Sequence, residues 1–495
     1  MENFKFGDLS VGYLDAETEA TYNEGIFGDI FYDLNNTLEK LQNLSNPLSI
    51  LIGRKGVGKS AYAARLGMLN TNIQRAYMIK LSDVSYNDFT KISDNKNNVI
   101  GAQRYLHVWI ILLLSSVIKE LREEDVKNKK LLKRLKSLVS ELGLSSEDSL
   151  VRDIITAAKK DFKVRISSLE VEVFHEGEDN SGKIRKFNGI TDFANYLCDN
   201  FEKLQIKTKI LPVIDGVDDV LRTKKDTRDI LSGLVRAIHT INQSNFKKNS
   251  LKFILVIRED IVKSINDPDM NKIIRDRSSQ LDWYTNGSGT DKLLVVFGKR
   301  LATNRYLSTM TAKDIWEGLF PFKIGRGSGD SWNYFLEYTM YRPRDVVQFI
   351  NQFVNNYPEN EEVTREMFKD ELRKFSQDYF YEEMKNELLG FLPDDVIEKL
   401  FEILQKVGSR NRDNFSFQDF VKEFENYFSN YTQEDIKNYL TILFNAGYVG
   451  MLRDVNRGRG NNRTYVNFKH KDPRLTIDFS SKFIIHKGLF SALNI

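Results

Sequence analysis

The segment that most constrains this chain is Leu48-Ser49-Ile50-Leu51-Ile52-Gly53-Arg54-Lys55-Gly56-Val57-Gly58-Lys59-Ser60. An apolar run suited to a buried strand enters Gly-x4-Gly-Lys-Ser, and Ala61-Tyr62-Ala63-Ala64-Arg65-Leu66 continues as a helix. Strand, glycine loop, helix is the order a phosphate-binding loop needs. Gly53, Gly56 and Gly58 let the backbone curl so that successive N–H groups converge on an anion. The helix opening at Lys59 adds the positive end of its dipole. Lys59 is expected to reach the β/γ-phosphates and Ser60 to place its hydroxyl on Mg²⁺. Arg54, Lys55, Val57 and Ala61 complete the expected cradle. The chain is expected to bind a nucleoside triphosphate.

Such a loop needs a magnesium carboxylate at the end of a neighbouring strand, and Ile210-Leu211-Pro212-Val213-Ile214-Asp215 supplies one in Asp215. Many ATPases follow that aspartate with a glutamate that polarises water. Here Gly216 stands in its place, so Asp218 or Asp219 is the expected base. Thr223-Lys224-Lys225-Asp226 matches a guanine-reading pattern, but it follows no buried strand and Asp215-Gly216-Val217-Asp218 is not Asp-x-x-Gly. Adenine is the better fit. Arg258 ends a second buried strand, Leu251–Ile257, where a side chain can sense the γ-phosphate. Arg275 and Arg277 follow, placed to reach a neighbouring subunit's site. Arg342 and Arg344 open a helix beyond the core, as residues folding over a nucleotide would. Guanidinium suits each task because it stays charged and grips phosphate with two parallel hydrogen bonds.

The chain has 495 residues, which implies more than one domain. Its 72 basic residues nearly cancel 69 acidic ones, so it is no bulk nucleic-acid coater. One cysteine, Cys198, leaves no internal disulfide to form and fits a reducing cytoplasm. The apolar run Val108–Leu114, extended to Ile118, is far short of the ~20 residues of a membrane span; we expect a soluble, cytoplasmic protein. His107, His175, His239, His470 and His486 show no metal-ligand spacing.

Strands separated by helical stretches predict an α/β core with a mostly parallel sheet over residues 1–305. A lead-in helix is expected through Ile30, Phe31, Leu34, Leu38 and Leu41. Residues 85–205 read as a helical insertion carrying a hairpin, with strands at Leu169–Val173 and Lys183–Phe187 around an acidic turn. Residues 306–388 read as a helical lid. Over 389–495, helices at Val396–Val407, Phe417–Phe428 and Gln433–Asn445 precede a hairpin, the outline of a winged helix. Thr432 with Asp435 caps the third helix and Gly447 stops it.

These residues together resemble a bacterial stand-alone ATPase of the AAA+/STAND type, more narrowly a KAP-like branch with an Orc-type layout. The carrying stretches are the phosphate loop, Asp215-Gly216-Val217-Asp218-Asp219, Ile257-Arg258-Glu259-Asp260, Arg342-Pro343-Arg344-Asp345 and His486–Leu493. The resemblance implies ATP-driven switching, self-association and a place in defence against phages or mobile elements, with a separate effector protein. A loader-like nucleic-acid clamp, in which ATP is mainly structural, is the rival reading, and a slow ATPase that retains its nucleotide is a third. Residues 391–450 carry 6 basic against 10 acidic residues, whereas 451–495 carry 9 against 3. Glu434 and Asp435 at the start of the third helix oppose base reading. Arg453, Arg457, Arg459 and Arg463 around a Gly458–Gly460 turn are placed to touch phosphate instead, or an acidic protein face.

Overall fold

The computed structural model describes residues 4–81, 102–141, 164–165, 184–185, 190–216, 227–243, 249–265, 267–285, 291–324, 330–410, 413–456 and 462–495. They form two compact units: Asp33–Gly53 with Tyr62–Leu281, and Met1–Tyr32 with Arg54–Ala61 and Asp282–Ile495.

The first unit is α/β. Strands β1 (Ile50–Gly53), β2 (Gln74–Lys80), β5 (Lys209–Asp215), β6 (Ile254–Arg258) and β7 (Ser278–Gln280) form one parallel sheet in the order β2-β5-β6-β1-β7. A short antiparallel pair, β3 (Val164–Arg165) and β4 (Ile184–Arg185), stands apart from it. Its second strand falls within the expected return strand; Leu169–Val173 and the acidic turn lie outside the described residues. The middle of helix Ala102–Glu120, Val108–Leu114, is apolar on all sides and buried, with helices Thr227–Gln243 and Ile190–Glu202 packed against the helix. Its Trp109 donates Nε1–H to the Ile230 carbonyl at 2.8 Å. The helices read as an insertion thus share one hydrophobic core with the sheet.

Two sequence readings need correction here. No single lead-in helix forms: helix Glu24–Ile30 ends at an extended Phe31, and Thr37–Gln42 starts anew. Between them Asn35 (φ 58°) and Asn36 (φ 55°) are left-handed, which asparagine tolerates and a right-handed helix cannot absorb. The strand expected from Leu251 begins at Ile254, with Leu251 keeping only an isolated bridge to Ile210. Lys252 leaves the ladder and donates to the carbonyls of Lys40, Asn43 and Asn46 at 3.1, 2.9 and 3.0 Å, closing the end of helix Thr37–Gln42.

The second unit is helical up to Leu388. Helices Lys292–Leu301, Ala312–Leu319, Ser331–Leu336 and Pro343–Asn356 enclose a cluster of aromatic rings in which Trp316, Phe335, Phe349 and Phe368 make edge and stacked contacts. Arg365–Lys374, the π-helical turn Phe375–Phe380 and Tyr381–Leu388 run on as one helix. Helices Asp394–Arg410, Phe417–Glu425 and Gln433–Ala446 follow. The third has the expected Thr432–Asp435 capping box and ends on Gly447 at φ 89°. Beside them lies an antiparallel sheet, β10 (Asn462–Asn467), β9 (Val449–Asn456), β11 (Lys482–Ile485) and β8 (Asn414–Phe415), in that order. Among the described residues no helix is long and apolar enough to cross a membrane.

Candidate nucleotide site

In the sheet unit, three strands bring expected site residues to one edge. Gly53 at the end of β1 stands in register with Arg258 at the end of β6, and β5 beside it ends in Asp215. The carboxyl ends of parallel strands are where ligands bind in open α/β sheets. Asp215 accepts the Gly216 N–H at 2.8 Å. Arg258 is gripped by Asp260, with Nε to Oδ1 at 3.0 Å. Half-buried Arg277 gives its carbonyl to Ser49 N–H at 2.9 Å. Arg275 is 77% exposed and pairs with its neighbour Asp276. Asp218, Asp219 and Thr223–Asp226 lie outside the described residues.

In the other unit, the loop Arg54–Ala61 has the backbone its glycines allow. Gly56 (φ 80°) and Gly58 (φ 92°) are left-handed, and a Cβ at Gly58 would meet only open space. Lys59 is buried at the start of its helix, with Nζ donating to the Arg54 carbonyl at 3.1 Å. Ser60 is half-buried beside it, and Ala61 N–H closes on Gly58 O at 3.1 Å. The outer side of the loop is held residue by residue. Arg54 donates to Met340 O at 2.7 Å, Trp283 Nε1–H to Val57 O at 2.9 Å, and Arg342 to Lys55 O at 3.3 Å. Lys55 Nζ meets Glu383 at 3.4 Å.

The two arginines of Arg342-Pro343-Arg344 take different positions. Arg342 is 1% exposed; Nε reaches Asp345 at 3.0 Å and Nη1 reaches Glu387 at 2.8 Å. Burial opposes its charge, but Asp345 and Glu387 outweigh burial and hold the guanidinium pKa well above its ordinary value. Its Nη2 is buried without a hydrogen-bond partner. Arg344 is more open, 3.8 Å from Glu383, and its Cβ would lie 3.4 Å from a Cβ added at Gly56. Left-handed glycines, open space above Gly58, a buried lysine and an orphaned guanidinium N–H form a donor set that fits phosphate.

Sequence reasoning missed Tyr379, Glu383 and Glu387. They lie at i, i+4 and i+8 across the π-helical turn and form one stripe. Tyr379 O–H donates to Asp345 at 3.0 Å, Glu383 takes Lys55 and Arg344, and Glu387 takes Arg342 and the Tyr448 O–H at 2.6 Å. The signal was a four-residue spacing that also describes any solvated helix face. Burial raises the Tyr379 and Tyr448 phenols well above the usual range, with Asp345 and Glu387 respectively adding to it. Both remain donors.

Residues 291–382 match the model of the FunZ-associated C-terminal helical domain. A putative transposon gamma-delta 80.3 kDa protein of Escherichia coli (strain K12) is 22% identical over 328 residues. That match covers 64% of this chain and 43% of that protein, so the chain spans less than half the length of this relative. Among solved structures, the Orc1 protein of Aeropyrum pernix in complex with DNA aligns with a TM-score of 0.35 and 12% identity, over 94% of this chain and 93% of that one. Cdc6p of Pyrobaculum aerophilum aligns with a TM-score of 0.31 and 13% identity, over 95% and 96%.

Proposed function

We propose that this chain is an ATP-binding and ATP-hydrolysing switch of the AAA+/STAND type. In this reading residues 1–305 form the ATPase core, 306–388 a lid and 389–495 a winged helix, and the chain self-associates. The observation that carries it is the phosphate loop itself: Gly56 and Gly58 left-handed, Lys59 buried and directed across the loop. Ser60 and Asp215 are the proposed magnesium ligands. Bound Mg²⁺ would neutralise charge on the β- and γ-phosphates. Arg258 and Arg344 are proposed to sense the γ-phosphate, Asp218 or Asp219 to orient water, and Arg275 or Arg277 to act on a neighbouring copy. A defence role with a separate effector belongs to the same proposal, through the family resemblance alone. Phosphate release and solution mass, each measured with an ATP analogue, ADP and no nucleotide, test it. The proposal expects slow turnover that rises per chain with protein concentration; turnover indifferent to concentration removes the role of Arg275 and Arg277.

A second reading, the nucleic-acid clamp, is favoured by the β9–β10 hairpin. Arg453 and Tyr465 are cross-strand partners and both are exposed. A cation beside an exposed ring suits a phosphate backbone with an unstacked base. Turnover measured with and without DNA or RNA separates the two, because a clamp binds nucleic acid tightly while hydrolysing little.

A further inference from the structure

The phosphate loop and the C-terminal sheet are joined by a short buried chain of hydrogen bonds. It runs from the Lys55 carbonyl to Arg342 (3.3 Å), from Arg342 to Glu387 (2.8 Å), and from Glu387 to the Tyr448 hydroxyl (2.6 Å). Tyr448 is fully buried and immediately precedes β9, the central strand that pairs with both β10 and β11. Arg342 is 1% exposed and paired with both Asp345 and Glu387, so moving it without Glu387 would strand a charge away from water. Glu387 divides its two oxygens between the ends, Oε1 to the arginine and Oε2 to the phenol.

The helix that carries Glu387 is braced on the same side. Tyr379 holds Asp345, which holds Arg342 and also accepts the Met340 N–H at 2.8 Å, while Met340 O accepts from Arg54 of the loop. Tyr341, between them, is left-handed at φ 54°, an uncommon backbone for a bulky residue that the flanking bonds hold in place. A π-helical turn sits where the stripe begins, and such turns recur at functional sites.

We infer that Glu387 is a positioning residue that ties the conformation of the phosphate loop to β9 through Arg342 and Tyr448, so that nucleotide at the loop alters the protection of the hairpin. This rests on the nucleotide-binding reading above and names its route to the C-terminal sheet. A phosphate that engages Arg342 Nη2 or shifts Lys55 pulls on a guanidinium that cannot move without its carboxylate. The carboxylate cannot move without the phenol.

The test uses the full chain, a fluorescent ATP analogue with Mg²⁺, and amide hydrogen exchange over residues 449–456. Wild type should bind the analogue and change its exchange in β9 on binding. Tyr448→Phe removes one oxygen and keeps the ring in its pocket; it should weaken the analogue about threefold to tenfold, the size of an ordinary hydrogen bond's net contribution. It should also abolish most of the exchange response in β9. Glu387→Gln should do the same, and the double variant should be little worse than either alone, because both break one path. Tyr431→Phe, which removes a hydrogen bond to exposed Asp395, should change neither readout. Wild type that binds no analogue overturns the nucleotide reading and this inference with it. Wild type that binds, with Tyr448→Phe keeping the full affinity and exchange response, overturns this inference alone.

Discussion

The phosphate loop and the β9–β10 hairpin share a glycine- and cation-rich sequence, and the described residues around them differ. Gly53-Arg54-Lys55-Gly56-Val57-Gly58-Lys59 and Arg457-Gly458-Arg459-Gly460-Asn461-Asn462-Arg463 are both glycine loops crowded with cations. In the first, Arg54 meets a carbonyl, Lys55 a carboxylate, and Lys59 is buried against its own loop. Beside the second, Arg453, Thr464, Tyr465 and Val466 are exposed on the hairpin's strands. The difference comes from what surrounds each loop. One is flanked by a buried strand and a helix start and backed by Glu383 and Glu387; the other joins an edge strand to its neighbour in a region where basic residues outnumber acidic ones 9 to 3. Cations with internal partners shape a site. Arg453, exposed on β9, is open to an external polyanion, and Arg457 and Arg459 lie outside the described residues.

The sharpest way to break that contrast is to remove one cation from each region. Arg342→Leu leaves Asp345 and Glu387 buried without their partner and should destabilise the fold by about 3–5 kcal/mol. Arg453→Gln should fall within about 0.5 kcal/mol of wild type. Denaturant midpoints of the two variants check this, and equal losses would erase the distinction.

Acid should attack the buried region next. His470 and His486 are buried, and burial first, then His486 beside His470 and Lys471 beside His486, hold both pKa values well below the ordinary value. Both are therefore neutral in the folded chain, while the unfolded chain takes up their protons below about pH 6.5. Stability is full above that pH and is lost as pH falls through it, by at most about 1.4 kcal/mol per unit for each proton. His470→Phe should remove about half of the slope in a thermal-melt series; an unchanged slope would place the sensitivity elsewhere.

Asp215→Asn should weaken binding of the ATP analogue about 10- to 50-fold when Mg²⁺ is present, roughly 1.4–2.3 kcal/mol, and much less in EDTA. A loss of equal size without Mg²⁺ would deny Asp215 a metal role. The smallest effect is expected at the hairpin. Arg457→Gln, Arg459→Gln and Arg463→Gln together should leave nucleotide affinity unchanged. If the hairpin contacts duplex DNA, they should flatten the log–log salt slope by about 3. Wild-type binding with an unflattened slope would make the hairpin a protein contact.

Most of this framework was readable from residue patterns, because strand, glycine loop and helix leave local signatures. Thr432, Asp435 and Gly447 bounded their helix in sequence as they do in the fold, since a cap depends on residues within three or four positions. The sheet order was not readable: β1 lies between β6 and β7, and nothing local in Ile50–Gly53 encodes partners more than 200 residues away. The Tyr379–Glu383–Glu387 stripe was hidden for a related reason. Its spacing matches a solvated helix face, and only partners at Lys55, Arg342 and Tyr448 distinguish it. The Asn35–Asn36 break was legible only in part, because asparagine permits a left-handed backbone without requiring it.

Whether the glycine loop around buried Lys59 holds a nucleotide is decided by titrating the fluorescent ATP analogue into wild type and Lys59→Ala. Wild type should show one saturable site per chain, displaced by ATP, with affinity at least about 100-fold weaker in the variant, a loss of about 2.8 kcal/mol or more. Equal affinity in the two proteins would contradict it.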